Sequence, residues 1–405
     1  MEDQERALRL ATEAGHILLE NGAEISRVEN TMQHIANVYG IEDEHFFVLS
    51  NGIISSGKHF ARAEHIPLKG MQLSRVVEVN QISRDLSDHP MSLDELERRL
   101  QAVRTAKGKP WWETILGTAF GVAAFCIIFG GSILDAVVTF FCGLLLGAFM
   151  TFVASHMSRL MGNFVGGLIG GLLCVITYKI LPFGLHLPNM IIGTIIALVP
   201  GVPFTNGMRD LANEAYIAGT TRLTDAFLSF LGIALGVSTA FVIQGGLLGS
   251  IIQLGTPEID PLTSHWVIQL AAAFAGTMGF AVIFGVPRKF YLDSGFIGMI
   301  GWGVYIFSGS AFIAAFVLSI VCYLQAHIRR CPVTVFLICG IIPLVPGGGI
   351  FWTAYHIVVD HLRLAASTGF EAIKVTVAIA AAIIIVAAIF NRLIKRKKQT
   401  PSPTA

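Results

Sequence analysis

Hydrophobic positions change their period twice along this chain. Near the N-terminus apolar side chains recur at helical spacing. Leu8, Ala11, Ala14, Ile17 and Leu18 mark a helix over 5–21, and Val28, Met32, Ile35 and Val38 mark another over 25–39. The period then shortens. Residues 46–56 read FFVLSNGIISS, and Asn51-Gly52 between two β-rich stretches predicts a hairpin. Alternation around Val76, Val77 and Val79 predicts a third strand over 74–80. Residues 91–106 form a charged amphipathic helix that opens on a capping box, Ser92 with Glu95. Together these elements predict a small soluble α+β domain over residues 1–110.

From Trp111-Trp112, a pair suited to a membrane interface, apolar runs dominate. Ten segments stand out: 113–129, 133–153, 163–180, 190–199 and 225–244, then 265–284, 294–307, 311–324, 332–346 and 372–391. Composition agrees. The chain is 54% hydrophobic and 14% charged, with mean hydropathy +0.67, values of a membrane protein. Of its 27 acidic residues, 17 lie in the first 110 positions. A net charge of +1 without a basic stripe excludes nucleic acid as a partner; the bilayer is the expected surround.

Basic residues orient the spans. With the N-terminal head inside, the inner loops hold Arg159, Arg209, Arg222, Arg288, Lys289, Arg329 and Arg330, and the tail adds Arg392 and Lys395–Lys398. Outer loops hold only Lys179, Arg363 and Lys374, and the acidic connector 255–261 falls outside. This predicts a multi-pass cell (inner) membrane protein with both termini in the cytoplasm. No apolar signal-peptide core follows the charged start, so the first span is expected to act as the insertion signal. The tail, 395–405, is basic, then Ser/Pro-rich, and is expected to be disordered.

The membrane body repeats itself. IIALVPG at 195–201 returns as IIPLVPG at 341–347, an offset of 146. FCIIFG at 125–130 returns as FAVIFG at 280–285, and at that offset of 155 Gly121 meets Gly276 and Gly143 meets Gly298. Five spans per copy is an odd number, so two tandem copies (111–250 and 251–394) must lie in opposite orientation. The fold class is therefore an all-α polytopic protein of two inverted five-span repeats with broken helices, plus the α+β head. Segment 190–199 covers only ~15 Å as a helix, against a hydrocarbon core of ~30 Å. The chain must complete each short span after its Pro-Gly break, through 205–218 and 351–363. Glycines at four-residue spacing (117/121, 143/147, 162/166/170, 167/171) predict close helix packing or a sliding interface.

Paired breaks in corresponding halves point to a binding site. The candidates at the first are Pro200, Gly201, Thr205, Asn206, Asp210, Asn213 and Glu214; at the second, Pro346, Gly347, Gly348, Gly349, Thr353, His356 and Asp360. Asn206, Asp210 and Glu214 are four apart and are expected on one helical face. Shifted by 146, Asp210 becomes His356 and Glu214 becomes Asp360, while Asn206 becomes Trp352. Half-helix N-termini attract a carboxylate, and the acids suit an ammonium or a coupling proton. The expected solute is thus a small zwitterionic or anionic metabolite, with protons as a second partner. The competing reading makes 204–222 an ordinary loop with Asp210 paired to Arg209 or Arg222, and puts His356 and Asp360 in an outer loop. Asp135, Asp225 and Asp293 are read as helix-end residues.

Neither metal nor cofactor is expected. The six cysteines all lie in the membrane body without a CxxC pair. Glu20, Glu24, Arg27, Glu29 and six histidines in the head match no metal or nucleophile motif, so an assembly or regulatory surface is favoured over catalysis.

Residues 7–40, the SNG turn, residues 75–86, and above all LVPGVPFTNGMRDLANEAYIAG at 198–219 resemble the threonine/serine exporter family. The second half, through LVPGGG at 344–349, resembles that family's second membrane module. The resemblance implies proton-motive export of small hydrophilic metabolites such as threonine and serine, or small dicarboxylates such as succinate. It also covers fused and split two-protein forms, and its loop motif falls on Pro200, Gly201, Asn206, Asp210 and Glu214. A passive channel, a sensor or enzyme run by the head, and a homo-oligomer are the alternatives left open.

Overall fold

The structure, a computed structural model, describes residues 2–41, 45–56, 61–67, 70–181, 184–248, 252, 254 and 259–399; for residues 2, 247–248 and 393–399 it describes the backbone alone. Parts of the connector 255–261, His59, and residues 400–405 of the expected tail lie outside the described residues.

The head begins with helices α1 (Glu2–Glu20) and α2 (Ile25–Val38), whose buried faces hold the spacing read above. Strands β1 (His45–Leu49) and β2 (Gly52–Ser56) pair antiparallel across the Asn51-Gly52 turn, Leu49 opposite Gly52. The third strand is not 74–80. It is β3 (Ala61–His65), a largely exposed edge strand (ARAEH) with no hydrophobic signal. Residues 74–80 belong to helix α3 (Leu73–Asp88), which buries Leu73, Val76, Val77, Asn80, Ser83 and Leu86 on one face. The valines' β preference yields to that longer helical period. Helix α4 (Leu93–Thr105) starts where Ser92 accepts the Glu95 N–H.

The membrane body runs α5 (Trp111–Ile128), α6 (Ile133–Phe152), α7 (Arg159–Ile180), α8 (Leu187–Ile195), α9 (Gly201–Ala212), α10 (Tyr216–Leu248), α11 (Trp266–Ile283), α12 (Tyr291–Ser308), α13 (Ala311–Arg329), α14 (Thr334–Gly340), α15 (Gly347–Val358) and α16 (Leu362–Gln399). Eight of these, alone or with a short 3-10 turn, are long and apolar enough to cross a membrane. Two bent pairs, α8 with α9 and α14 with α15, qualify together, giving up to ten spans if each pair is one broken span. α16 runs to Gln399, so the helix enters the first residues of the expected tail.

The two five-span halves are inverted. α5 and α11 are equivalent and cross antiparallel: a methyl built on Gly117 would meet Val282, and one built on Gly121 would meet Phe280. Gly279 sits so close that its added Cβ would lie 2.7 Å from the Gly117 carbonyl, which is why the crossing needs glycine. Phe125 and Phe280, equivalent at the 155-residue offset, meet edge to face at 5.2 Å between ring centres. Neighbours repeat as well: α5 packs on α6 and α8 as α11 packs on α12 and α14, and α9 packs on α14 as α15 packs on α8. The first glycine stripe of α7 faces Leu198 and Thr194, and the second faces Ile233 and Ala240 of α10. All six cysteines are buried.

Candidate functional site

Both breaks have one geometry. Pro200 sits at φ −77°, ψ 57°, and Pro346 at φ −76°, ψ 57°. The Gly201 N–H donates to the Val199 carbonyl at 2.8 Å, and the Gly347 N–H to the Val345 carbonyl at 2.7 Å. These are inverse γ-turns, and proline favours them because its ring holds φ near the required value. The chain bends by 57° at the first and 46° at the second. The breaks also touch reciprocally. A methyl on Gly201 would lie 2.4 Å from Cδ1 of Ile342, and one on Gly347 would lie 3.0 Å from Cδ1 of Ile196. Ile196 and Ile342 are themselves equivalent at the 146-residue offset, so residue i meets j and j meets i, as across a two-fold axis. A shallow apolar cleft beside the second break, too tight to admit a water, is walled by Phe204, Phe230, Val345, Pro346, Thr376 and Ile379.

From the breaks the half-helices run to opposite faces, so Asp210 and His356 share a register but not a site. The α9 residues meet the head at the turn between α1 and α2. Asn206 donates to the Gly22 carbonyl at 2.6 Å, and Asn213 donates to Ser26 Oγ at 3.0 Å. Asp210 is fully buried; it accepts the Ile25 N–H at 3.0 Å and pairs with Arg222 at 2.6 Å. Arg222 also donates to the Ala23 carbonyl at 2.9 Å. The first N–H groups of a helix lack intrahelical acceptors, and Glu24, the N-cap of α2, makes no side-chain cap. Asp210 supplies that cap from another domain, where a negative charge is favoured.

Arg209 forms an ion pair with Glu24, and its guanidinium lies 5.9 Å from the Tyr323 ring centre on α13. Thr205 is fully buried and its Oγ1 has no hydrogen-bond partner among the described residues. Glu214 does not share the Asn206–Asp210 face: α9 ends at Ala212, and Glu214 is exposed at φ 66° in the turn that follows. The region is a half-helix rather than a loop, but the Arg222 pairing that a loop reading gave to Asp210 is present.

α15 ends differently. Thr353 donates to the Gly349 carbonyl at 2.7 Å and meets Thr368 at 3.1 Å. His356 lies among Trp352, Tyr355 and His361, at 5.6, 5.7 and 6.3 Å between ring centres, and its buried Nδ1 has no hydrogen-bond partner among the described residues. Asp360 is exposed at φ 59°, the twin of Glu214. Tyr355 ties this end to the connector, accepting the Leu254 N–H and donating to the Ile252 carbonyl.

Against known families, the model described as "Putative threonine/serine exporter" matches residues 9–244, and a second, "Threonine/Serine exporter", matches 269–389. The chain belongs to the threonine/serine exporter family. Among relatives of this exporter-family chain is the threonine/serine exporter of Corynebacterium glutamicum, 23% identical over 93% of this chain and 80% of its own length. The Escherichia coli protein named "Probable succinate transporter subunit YjjP" is 25% identical over 60% of this chain and 97% of its own. The pheromone-regulated membrane protein 10 of Pichia sorbitophila is 25% identical over 60% of this chain but only 25% of its own. No solved structure matches.

Three residues of this family member's head contact escaped the sequence reading as a group: Arg209, Arg222 and Glu24. Arg209 and Arg222 stand 3 and 16 residues beyond Asn206 and were visible only as loop charges. Glu24 was visible only as a head carboxylate, and no local pattern brings residues so far apart together.

Proposed function

We propose that the protein exports small hydrophilic metabolites by alternating access, with its two inverted modules rocking about the paired breaks. The reciprocal Gly201–Ile342 and Gly347–Ile196 contact carries this reading. It is a two-fold joint at mid-chain depth, and an inverted repeat uses such a joint to exchange inward- and outward-open forms. The breaks themselves (Pro200, Gly201, Pro346 and Gly347–Gly349) line the path, with Thr205 and Asn206 next along α9. Protons are the coupling ion in this reading. Asp210 is the titratable candidate toward the head and His356 the one toward the far face, while Thr353, Asn213, Glu214 and Asp360 are supporting positions. Residues 1–110 form the head, 111–250 and 251–394 the modules, and 395–405 the tail.

Threonine and serine are the first solutes to test, from the name of the Corynebacterium relative, and the reading is that of a carrier rather than an enzyme. Succinate is the second, from the name of the Escherichia coli relative. The site is the cell (inner) membrane with head and C-terminus cytoplasmic; Arg159, Arg209, Arg222, Arg288 and Arg329 all stand at the head end of the spans, as the positive-inside rule asks. Counterflow in proteoliposomes tests the proposal, with threonine, serine and succinate, with and without a pH gradient. Accelerated exchange of one solute is expected. Gradient-driven leak without exchange would make the protein a channel, and no movement of any solute would remove the transport reading.

A further inference from the structure

We infer that Arg209 is the docking point for the solute's carboxylate, and that Glu24 of the head is a tethered carboxylate occupying that point until solute displaces it. The inference rests on the export reading above and names how its solute is held.

Arg209 stands where three parts of the molecule meet: α9 of the first module, Tyr323 on α13 of the second, and the head. Its side chain is 6% exposed. Its Nη1 is engaged by Glu24, its Nε makes no hydrogen bond among the described residues, and its Nη2 reaches the Tyr323 hydroxyl only at 3.5 Å. A planar guanidinium with unused donors is the side chain best matched to a carboxylate. One turn nearer the break, Thr205 Oγ1 and Asn206 Oδ1 are also buried without hydrogen-bond partners among the described residues. Thr205 and Arg209 are four apart, on the same face of α9. Acceptors set back from a guanidinium by one turn suit the ammonium or hydroxyl of an amino acid whose carboxylate meets the arginine.

The charges explain why Glu24 is held there. Arg27, Arg209 and Arg222 share two paired carboxylates, Glu24 and Asp210. Asp210 keeps Arg222 when the head lifts, because both lie in the first module. Arg209 would be left a buried cation with no counter-charge, which is strongly unfavourable. An arriving carboxylate removes that cost, so solute and head compete for one guanidinium, and the head is released from α9 when an anionic group has taken its place.

The test uses the full chain in proteoliposomes, with threonine, succinate and threoninamide as probes, the last lacking a carboxylate. Glu24→Gln should lower the KM for threonine and succinate by about tenfold, the effect of removing a competitor worth one decade of affinity, with no change toward threoninamide. In detergent, its melting temperature should fall without solute and recover with succinate but not with threoninamide. Arg209→Gln alone leaves Glu24 unpaired and can fail to fold, so the loss is read from Glu24→Gln/Arg209→Gln, which should fold and exchange neither carboxylated solute. An unchanged KM in Glu24→Gln, or wild-type exchange by the double variant, would overturn the inference and leave the transport reading standing. A wild-type protein that exchanges none of the probes would overturn both.

Discussion

α9 and α15 leave their prolines at the same angles and finish at equivalent left-handed residues, Glu214 and Asp360, yet they end in unlike places. One closes against a folded domain through Asn206, Arg209, Asp210 and Asn213. The other closes among Trp352, Tyr355, His356 and His361. The backbone of the repeat is shared because the bend is set by Pro-Gly and by reciprocal packing at the centre. The ends are free to diverge because each meets a different neighbour. The same holds at the C-termini of α5 and α11. There Asp260 donates to the Gly130 carbonyl on one face, while Leu73 and Ser74 of the head donate to the Phe284 and Gly285 carbonyls on the other. The inverted repeat thus shares one bend and ends in two chemically distinct surroundings.

That contrast can be broken most severely at the first half-helix. Arg222→Gln strands the buried Asp210 and should cost about 3–5 kcal/mol, the usual loss when one partner of a buried pair is removed. Thermal melting in detergent should show a large drop, and a melting temperature within a degree of wild type would deny the pair its structural weight. The hinge comes next. Gly201→Val should cost about 1–3 kcal/mol by overpacking against Ile342, and Gly347→Val less, since Ile196 stands farther off. Equal effects would mean that the two sides of the joint relax differently from their spacing. At the far face, Thr368 is the 146-residue twin of Arg222. Thr368→Val loses its hydroxyl contact with Thr353 and its hydrogen bonds to the Leu364 and Ala365 carbonyls, about 1 kcal/mol in a melting experiment.

A pH-dependent effect concerns the seat of the head on the second module. Burial lowers the Lys109 amine to about 8, with its Nζ over the Tyr291 ring and 3.8 Å from Glu113. The folded protein then binds fewer protons than the unfolded one between about 8 and the free-lysine value. Stability should rise with pH across that window, and Lys109→Met should flatten the rise and lift the melting temperature at pH 7. A melting curve whose pH slope is unaltered by the substitution would refute this.

Most of the membrane architecture was legible because its signals are local and repeated: apolar runs of spanning length, two Pro-Gly breaks in nearly the same words, and glycines at matching offsets. Two head elements were misread for a physical reason. Val76, Val77 and Val79 carry a local strand preference that the wider face from Leu73 to Leu86 overrides, and β3 is an edge strand too polar to announce itself. At the site, the sequence located the register of Asn206, Asp210 and Asn213 but not their partner. Hydrogen bonds such as Asp210 to Ile25 join positions 185 residues apart and leave no mark in local spacing. The four-residue spacing predicts Glu214 on the α9 face, because nothing in the composition of 213–215 marks the left-handed turn there.

The head grips one broken helix and leaves its twin alone, and that has a statistical consequence. Two perfectly matched inverted modules would populate their mirror-image conformations equally, with no resting side. Under the alternating-access proposal, the contacts made by Glu24, Gly22, Ala23 and Ile25 would exist in only one of those conformations, and their free energy would be the gap between the two populations. Each ~1.4 kcal/mol of it shifts the ratio about tenfold. On that proposal a small head would set the waiting state of a transporter whose two modules share one bend.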